Sequence, residues 1–195
     1  MSAAAARICT VVIGSSAGGI DALLRVLGGF DCSFAPSIIV VQHLPDRNDA
    51  RLVEIFAARL GMVVKEAQDK EDIAPGTLYF APAGYHLSLE QDRSFSLSRE
   101  EPVNHARPSI DVLFESAAEV FGPGLMGILL TGANHDGARG LKKIAESGGI
   151  TVVQSPAQAQ VATMPEAALR LFTPDHILPL EGIRRLLVEL DDPGC

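Results

Sequence analysis

Four short runs of apolar, mostly β-branched residues decide what this chain can fold into. Residues 7–13 lead into Gly14, residues 37–41 into Gln42-His43, residues 125–130 into Thr131-Gly132, and residues 149–153 into Gln154-Ser155. A strand with one wet face alternates apolar and polar side chains, because successive residues point to opposite sides. A continuous apolar run needs cover on both faces. Helices supply that cover when strands are parallel, and helical patterns fall between the runs. Residues 20–28 form the first. Residues 49–60 set Leu52, Ile55, Phe56 and Leu60 on one face ahead of a stop at Gly61, and residues 109–121 open on a serine behind Pro108 and end at Gly122-Pro123. Residues 137–147, 166–172 and 181–190 complete the set. The pattern predicts an α/β fold with a doubly wound, mostly parallel sheet.

Residues 77–99 break the rhythm. Thr77-Leu78-Tyr79-Phe80 is followed by His86-Leu87-Ser88-Leu89-Glu90, a turn at Gln91-Asp92-Arg93, and Phe95-Ser96-Leu97-Ser98. Period-two alternation around a polar turn predicts an antiparallel hairpin with one wet face, placed at one edge of the sheet. No linker, low-complexity stretch or charge block divides residues 1–195, so they read as a single domain. A chain of 195 residues that is 47% hydrophobic buries enough surface to fold without disulfides. The cysteines Cys9, Cys32 and Cys195 are odd in number and lack metal-ligand spacing; they read as buried or terminal thiols of a reducing compartment. With no signal-peptide or membrane-span pattern, a cytoplasmic location is expected. Sixteen Lys and Arg against 24 Asp and Glu leave a net charge of 16 − 24 = −8, which argues against nucleic-acid binding.

Open parallel sheets bind ligands at the carboxyl ends of their strands. Here those ends deliver Gly14-Ser15-Ser16-Ala17-Gly18-Gly19, then Gln42-His43, then Thr131-Gly132-Ala133-Asn134-His135-Asp136-Gly137. If the three strands are parallel, a serine, a histidine and an aspartate share one rim. Gly14–Gly18 fits G-x-S-x-G, a sharp strand-to-helix turn that presents a serine hydroxyl and leaves amides free to stabilise an oxyanion. Glycine-serine loops in this place also bind phosphate, but position 16 is not the glycine of a dinucleotide fingerprint, and no Gly-Lys-Ser/Thr follows. Serine needs a base and the base an orienting acid, for which His43 and Asp136 stand on the same rim. Each has a plainer reading: His43 as a hydrogen-bonded strand-end residue, Asp136 as the cap of the helix that follows it.

A rival order, Ser16, Asp136 and His176, is that of α/β-hydrolases. His176 opens the apolar segment of residues 176–180, so as the start of a parallel strand it would sit on the opposite rim. His86 lies in the hairpin and His105 in a Pro-bounded loop, and neither has partners at metal-ligand spacing, so no metal site is expected. Ser15 adjoins Ser16, but alternate residues at a strand end face opposite sides, which leaves Ser16 the better nucleophile.

Together these motifs resemble the catalytic domain of the CheB family, the protein-glutamate methylesterases of bacterial chemotaxis. The resemblance is carried by Ile13–Gly19, Val41-Gln42-His43-Leu44-Pro45, Pro102-Val103-Asn104 with residues 107–114, Leu130-Thr131-Gly132 through His135-Asp136-Gly137-Ala138, and Met164-Pro165-Glu166-Ala167-Ala168, in family order across nearly the whole chain. It implies hydrolysis of γ-glutamyl methyl esters on chemoreceptor cytoplasmic helices, and often deamidation of receptor glutamines. Ser16 would be the nucleophile, His43 the base and Asp136 the acid that orients it; the amides of Ala17 and Ala133 would form the oxyanion hole, and no cofactor is implied. This chain departs from the family at Ser15, at Ala17 in place of a usual Thr, and at Ala133-Asn134-His135. The alanines leave substrate preference open, and His135 reads either as a contact to substrate or acid or as a solvated loop residue. Family members commonly carry a receiver domain ahead of the catalytic one. A chain starting just before its first strand suits a free-standing enzyme, answering to a separate regulatory partner or to none, or a piece of a longer protein. Two other functions fit the same residues: a carboxylesterase with a different substrate, and a non-catalytic module that binds through the Gly-rich loop. An acidic enzyme meeting Glu-rich receptor helices would dock through a local patch, for which Arg99, Arg107, the hairpin of residues 85–98 and the loop of residues 102–108 are the candidates.

Overall fold

The computed structural model describes residues 7–44 and 50–190. Seven strands form one fully parallel sheet: β1 (Thr10–Ser15), β2 (Ser37–Gln42), β3 (Val63–Glu66), β4 (Thr77–Phe80), β7 (Leu125–Leu129), β8 (Ile150–Gln154) and β9 (His176–Leu178). Their spatial order is β3-β4-β2-β1-β7-β8-β9. Among the described residues six α-helices accompany them, the first five between strands and the last after β9: α1 (Gly19–Leu27), α2 (Ala50–Ala57), α3 (Ile110–Phe121), α4 (Ala138–Glu146), α5 (Thr163–Leu171) and α6 (Leu180–Leu190). None is long and apolar enough to cross a membrane.

The continuous apolar runs do what they predict, feeding two cores from alternate residues. Val11, Ile13, Ile38 and Val40 join Leu23, Leu27, Phe56, Ile183 and Leu187 under α1, α2 and α6. Val12, Ile39 and Val41 face the other way and join Leu113, Phe114, Leu141 and Met164 under α3, α4 and α5. The sheet is doubly wound. From β1 the chain runs outward through β2 to the edge at β3, steps back to β4 between them, then crosses to β7 on the other flank and continues to β8 and β9, so strand order reverses beside β1 and a crevice opens at its carboxyl end.

Three local readings change. The antiparallel hairpin exists, β5 (His86–Leu89) paired with β6 (Phe95–Ser98), but it forms a separate two-stranded sheet instead of extending an edge of the main one. Leu87, Leu89 and Phe95 bury in the core beneath α3, with the Phe95 ring 4.8 Å from that of Tyr79. Burial against a helix layer outweighs edge pairing here. The main sheet's edges belong to β9 and to the short, exposed β3, whose Val-Val-Lys-Glu carries too weak a pattern to read as a strand. Cys9 and Cys32 are exposed free thiols, not buried ones, and Cys195 lies outside the described residues.

Candidate active site

β1 ends at Ser15, and the two serines part as strand alternation requires. Ser15 is fully buried and its hydroxyl donates to Gln42 Oε1 (2.7 Å). Ser16 lines the cavity at the carboxyl rim. Its backbone is held from both neighbouring strands: its N–H donates to Thr131 O (3.0 Å), and its carbonyl accepts from Gln42 Nε2 (2.9 Å) and from Gly19 N (2.8 Å). Gln42 Nε2 also donates to the His43 carbonyl (2.7 Å), so one buried amide ties the ends of β1 and β2 together. The left-handed position that turns the chain into α1 is Gly18, at φ 77°, where a side chain would collide with Gln160.

His43 follows β2, and its Nε2 donates to Asp136 Oδ2 (2.9 Å). A carboxylate only accepts, so the proton sits on Nε2 and the lone pair on Nδ1. Asn134 agrees with that tautomer: its Oδ1 accepts from the Asp136 N–H (3.1 Å), which turns its Nδ2 toward His43 Nδ1 at 3.4 Å. Ser16 and His43 line the same cavity of about 240 Å³, and among the described residues their side chains make no hydrogen bond to each other. The cavity is smaller than the roughly 300–1,000 Å³ of small-molecule sites, a size suited to one side chain of a larger substrate. Arg107 and His105 stand in its wall.

Asp136 does not cap α4, which opens on a left-handed Gly137 at φ 91°. Its carboxylate lies instead at the start of α3, where Oδ2 accepts from Ile110 N (2.6 Å) and Oδ1 from Asp111 N (3.2 Å), Ser109 Oγ (2.8 Å) and Asn104 Nδ2 (2.9 Å). Asp111, within α3, returns the favour by accepting from Gly140 N of α4 at 2.7 Å. Each helix is capped by the other's aspartate, and each carboxylate meets the positive end of a helix dipole. The close approach of α3 depends on two glycines: a Cβ on Gly14 or Gly137 would lie 2.4 or 2.6 Å from Ile110 Cγ2. Burial opposes ionisation of Asp136, but the hydrogen bonds from His43, Asn104, Ile110 N and Ser109 outweigh it and hold the carboxyl below the usual carboxylate range.

The remaining candidates fall as follows. The N–H groups of Ala17 and Ala133 donate to no acceptor among the described residues, and Thr131 Oγ1 holds the peptide that follows Ala17 by donating to Ala17 O (2.9 Å). His176 begins β9, a parallel strand, in register with Val152, Ile128 and through them Ile13, so it lies at mid-sheet three strands away from β1, neither on the rim of Ser16 nor on the opposite one. His86 is buried as a strut: Nε2 donates to Glu101 O (3.1 Å) and Nδ1 accepts from Ser109 N (3.2 Å). His135 is exposed.

Residues 11–187 match the CheB methylesterase family. The chain belongs to that family. A Leptospira interrogans protein, provisionally named protein-glutamate methylesterase/protein-glutamine glutaminase, is 48% identical over 181 residues, 93% of this chain and 94% of the relative. A Hahella chejuensis protein-glutamate methylesterase/protein-glutamine glutaminase is 40% identical over 176 residues, which is 89% of this chain but 48% of that protein, so the chain spans about half of its length. The crystal structure of the Thermotoga maritima CheB methylesterase catalytic domain superposes with a TM-score of 0.89 at 32% identity, covering 94% of this chain and 98% of that one. The family likeness therefore extends across both cores and the rim that carries Ser16, His43 and Asp136. Asn104, Asn134, Ser109 and Gln42, which surround these three, carry no mark of such roles in the sequence beyond their place inside the recurring motifs.

Proposed function

We propose that this chain is a cytoplasmic serine esterase that removes methyl groups from glutamate methyl esters on chemoreceptor helices, and that it also deamidates receptor glutamines. The observation that carries the reading is the 2.9 Å bond from His43 Nε2 to Asp136 Oδ2 at the edge of a cavity that Ser16 lines. A buried, ionised carboxylate fixes the imidazole with its free lone pair on Nδ1, the nitrogen left to act as base. The Ser16 hydroxyl, on engaging substrate, takes the place that Asn134 Nδ2 holds at Nδ1. Ser16 Oγ attacks the ester carbonyl, and Nδ1 accepts its proton. The oxyanion receives the N–H groups of Ala17 and Ala133, whose lack of other acceptors suits that role. Collapse of the tetrahedral intermediate breaks the carbon–methoxide bond, and the proton on Nδ1 passes to methoxide, releasing methanol. Water, losing its proton to Nδ1, then hydrolyses the acyl-enzyme to a free glutamate and restores Ser16. On a glutamine the same steps release ammonia.

Ser16→Ala is expected to abolish methanol release from methylated receptor, His43→Gln to lower turnover by orders of magnitude, and His176→Ala to leave it intact. Full activity of a folded Ser16→Ala protein would show that Ser16 is not the nucleophile, whereas a wild-type protein that releases no methanol from any ester would replace the reading with a binding module. Activity on other carboxyl esters without any on methylated receptor would keep the mechanism and change the substrate.

A further inference from the structure

The loop before α3 holds an arrangement that a serine, a base and an acid do not by themselves require. Val103 and Ala106 exchange backbone hydrogen bonds of 3.1 and 2.9 Å, and between them Asn104 and His105 have φ of 52° and 62°. Positive φ at both central residues makes a two-residue I′ turn, where asparagine is among the few non-glycine residues tolerated. The turn delivers one amide nitrogen to a point between two buried carboxylates: Asn104 Nδ2 donates to Asp136 Oδ1 and to Asp111 Oδ2, both at 2.9 Å. Those aspartates are 0% and 1% exposed, so water does not screen one charge from the other. An amide nitrogen carries two hydrogens, one for each.

We propose that Asn104 is a positioning residue, giving one hydrogen to each carboxylate so that Asp136 stays ionised and apart from Asp111, with its Oδ2 left for His43. The proposal rests on the triad reading above. Without that nitrogen, the nearest relief for two unscreened carboxylates is a proton shared between them or a rotation of Asp136, and either disturbs the bond to His43. The titratable and charged groups around the pair are His43 beyond β2, Glu115 on α3, His86 on β5 behind Ser109, His135 in the same loop as Asp136, and Arg139 on α4. Arg139 reaches Asp111 Oδ2 at 3.3 Å and Glu115 at 3.6 Å, but its side chain is 64% exposed. A solvated guanidinium is a weak substitute for a buried amide.

Asn104→Gly removes the amide and keeps the left-handed backbone without strain. Asn104→Asp keeps the shape and adds a third carboxylate. Asn104→Gly combined with Asp111→Asn removes the second charge, while the new side-chain oxygen can still accept from Gly140 N. Measured on methylated receptor, Asn104→Gly should lower kcat about tenfold to hundredfold, the range of a hydrogen bond to a charged group, with KM unchanged. Asn104→Asp should move the acid limb of kcat upward by about one pH unit or more. The double variant should recover most of the loss. Wild-type kcat in Asn104→Gly, an unmoved acid limb in Asn104→Asp, or no recovery in the double variant would overturn the proposal. Ser16→Ala, assayed alongside, separates this from failure of the triad reading. Should Ser16→Ala stay active, carbon-13 NMR of the Asp136 carboxyl still decides. Titration at higher pH in the Asn104 variants supports the positioning role, and an unchanged titration refutes it.

Discussion

Replacing Gly14 by alanine tests whether the acid of the site is held in place by helix packing. The new Cβ would lie 2.4 Å from Ile110 Cγ2, 3.0 Å from Cδ1 and 3.1 Å from Cγ1. Carbon atoms rest at about 3.5–4.0 Å, so Ile110 must retreat by roughly 1 Å. It has no room to do so by turning: it is fully buried and stiff at χ1, and Gly137 also packs against the same Cγ2. The first turn of α3 therefore moves, and with it the Ile110 N–H that donates to Asp136 Oδ2 at 2.6 Å. A 1 Å displacement takes that bond past the geometric limit. Overpacking and a lost bond to a charged group together should cost about 2–4 kcal/mol of stability, read from the midpoint of urea unfolding. Misplacing Asp136, and through it His43, should lower kcat for methanol release by up to about a hundredfold, although position 14 touches no substrate. Adding Ile110→Leu moves the branch from Cβ to Cγ and should restore much of both. A Gly14→Ala protein with wild-type urea midpoint and turnover would refute the packing argument.

Because the Asp136 carboxyl titrates below its unfolded value, its stabilising contribution is full above the unfolded pKa of about 3.9 and is lost as pH falls through the folded one. The stability gap between wild type and Asp136→Asn should thus be widest above about pH 5 and narrow below pH 4; a gap constant from pH 3 to 7 contradicts this. Gln42→Leu strands the Ser15 hydroxyl and the His43 carbonyl and takes one of two donors from the Ser16 carbonyl, and should cost about 2–4 kcal/mol by urea unfolding and lower kcat more than KM. Ser15→Ala leaves Gln42 Oε1 short of a donor and should cost about 1–2 kcal/mol while sparing turnover, so a loss matching that of Ser16→Ala would move the nucleophile to position 15. Arg107 anchors one guanidinium nitrogen on the carbonyls of Arg99 (3.2 Å) and Glu100 (3.0 Å) at the cavity wall; Arg107→Ala should raise KM for an acidic receptor segment with kcat unchanged, an effect that weakens with added salt.

The parallel sheet was legible because burial on two faces leaves a mark that survives translation into sequence: Val11, Val12 and Ile13 are all apolar although they serve different cores. The hairpin's place was not. Leu87-Ser88-Leu89 says that one face is dry, and it is silent on whether that dryness comes from a sheet edge or from α3. The strand β3 was lost for the opposite reason, since an exposed edge pairing through its backbone asks little of its side chains.

At the candidate site, the meeting of Ser16, His43 and Asp136 on one rim was legible because each stands within a few residues of a strand end, and strand ends can be read locally. Their supports could not be, because they act across the chain. Read locally, Asp136 before α4 caps α4, while Asp111 is a first-turn acid of α3; in the folded protein each reaches the other helix. Short-range rules reach three or four residues, and these bonds span 26 and 29 positions. The exchange has a chemical consequence. A locally capping aspartate would spend its oxygens on its own helix, whereas Asp136, turned away by the left-handed Gly137, meets the α3 amides with one edge and keeps Oδ2 open to His43 as well. The bonds that dock α3 against α4 are then the same bonds that favour the ionised carboxylate. Folding and the charge state of the acid are one equilibrium here, which is why packing changes at Gly14 and a lost amide at Asn104 should both appear in turnover.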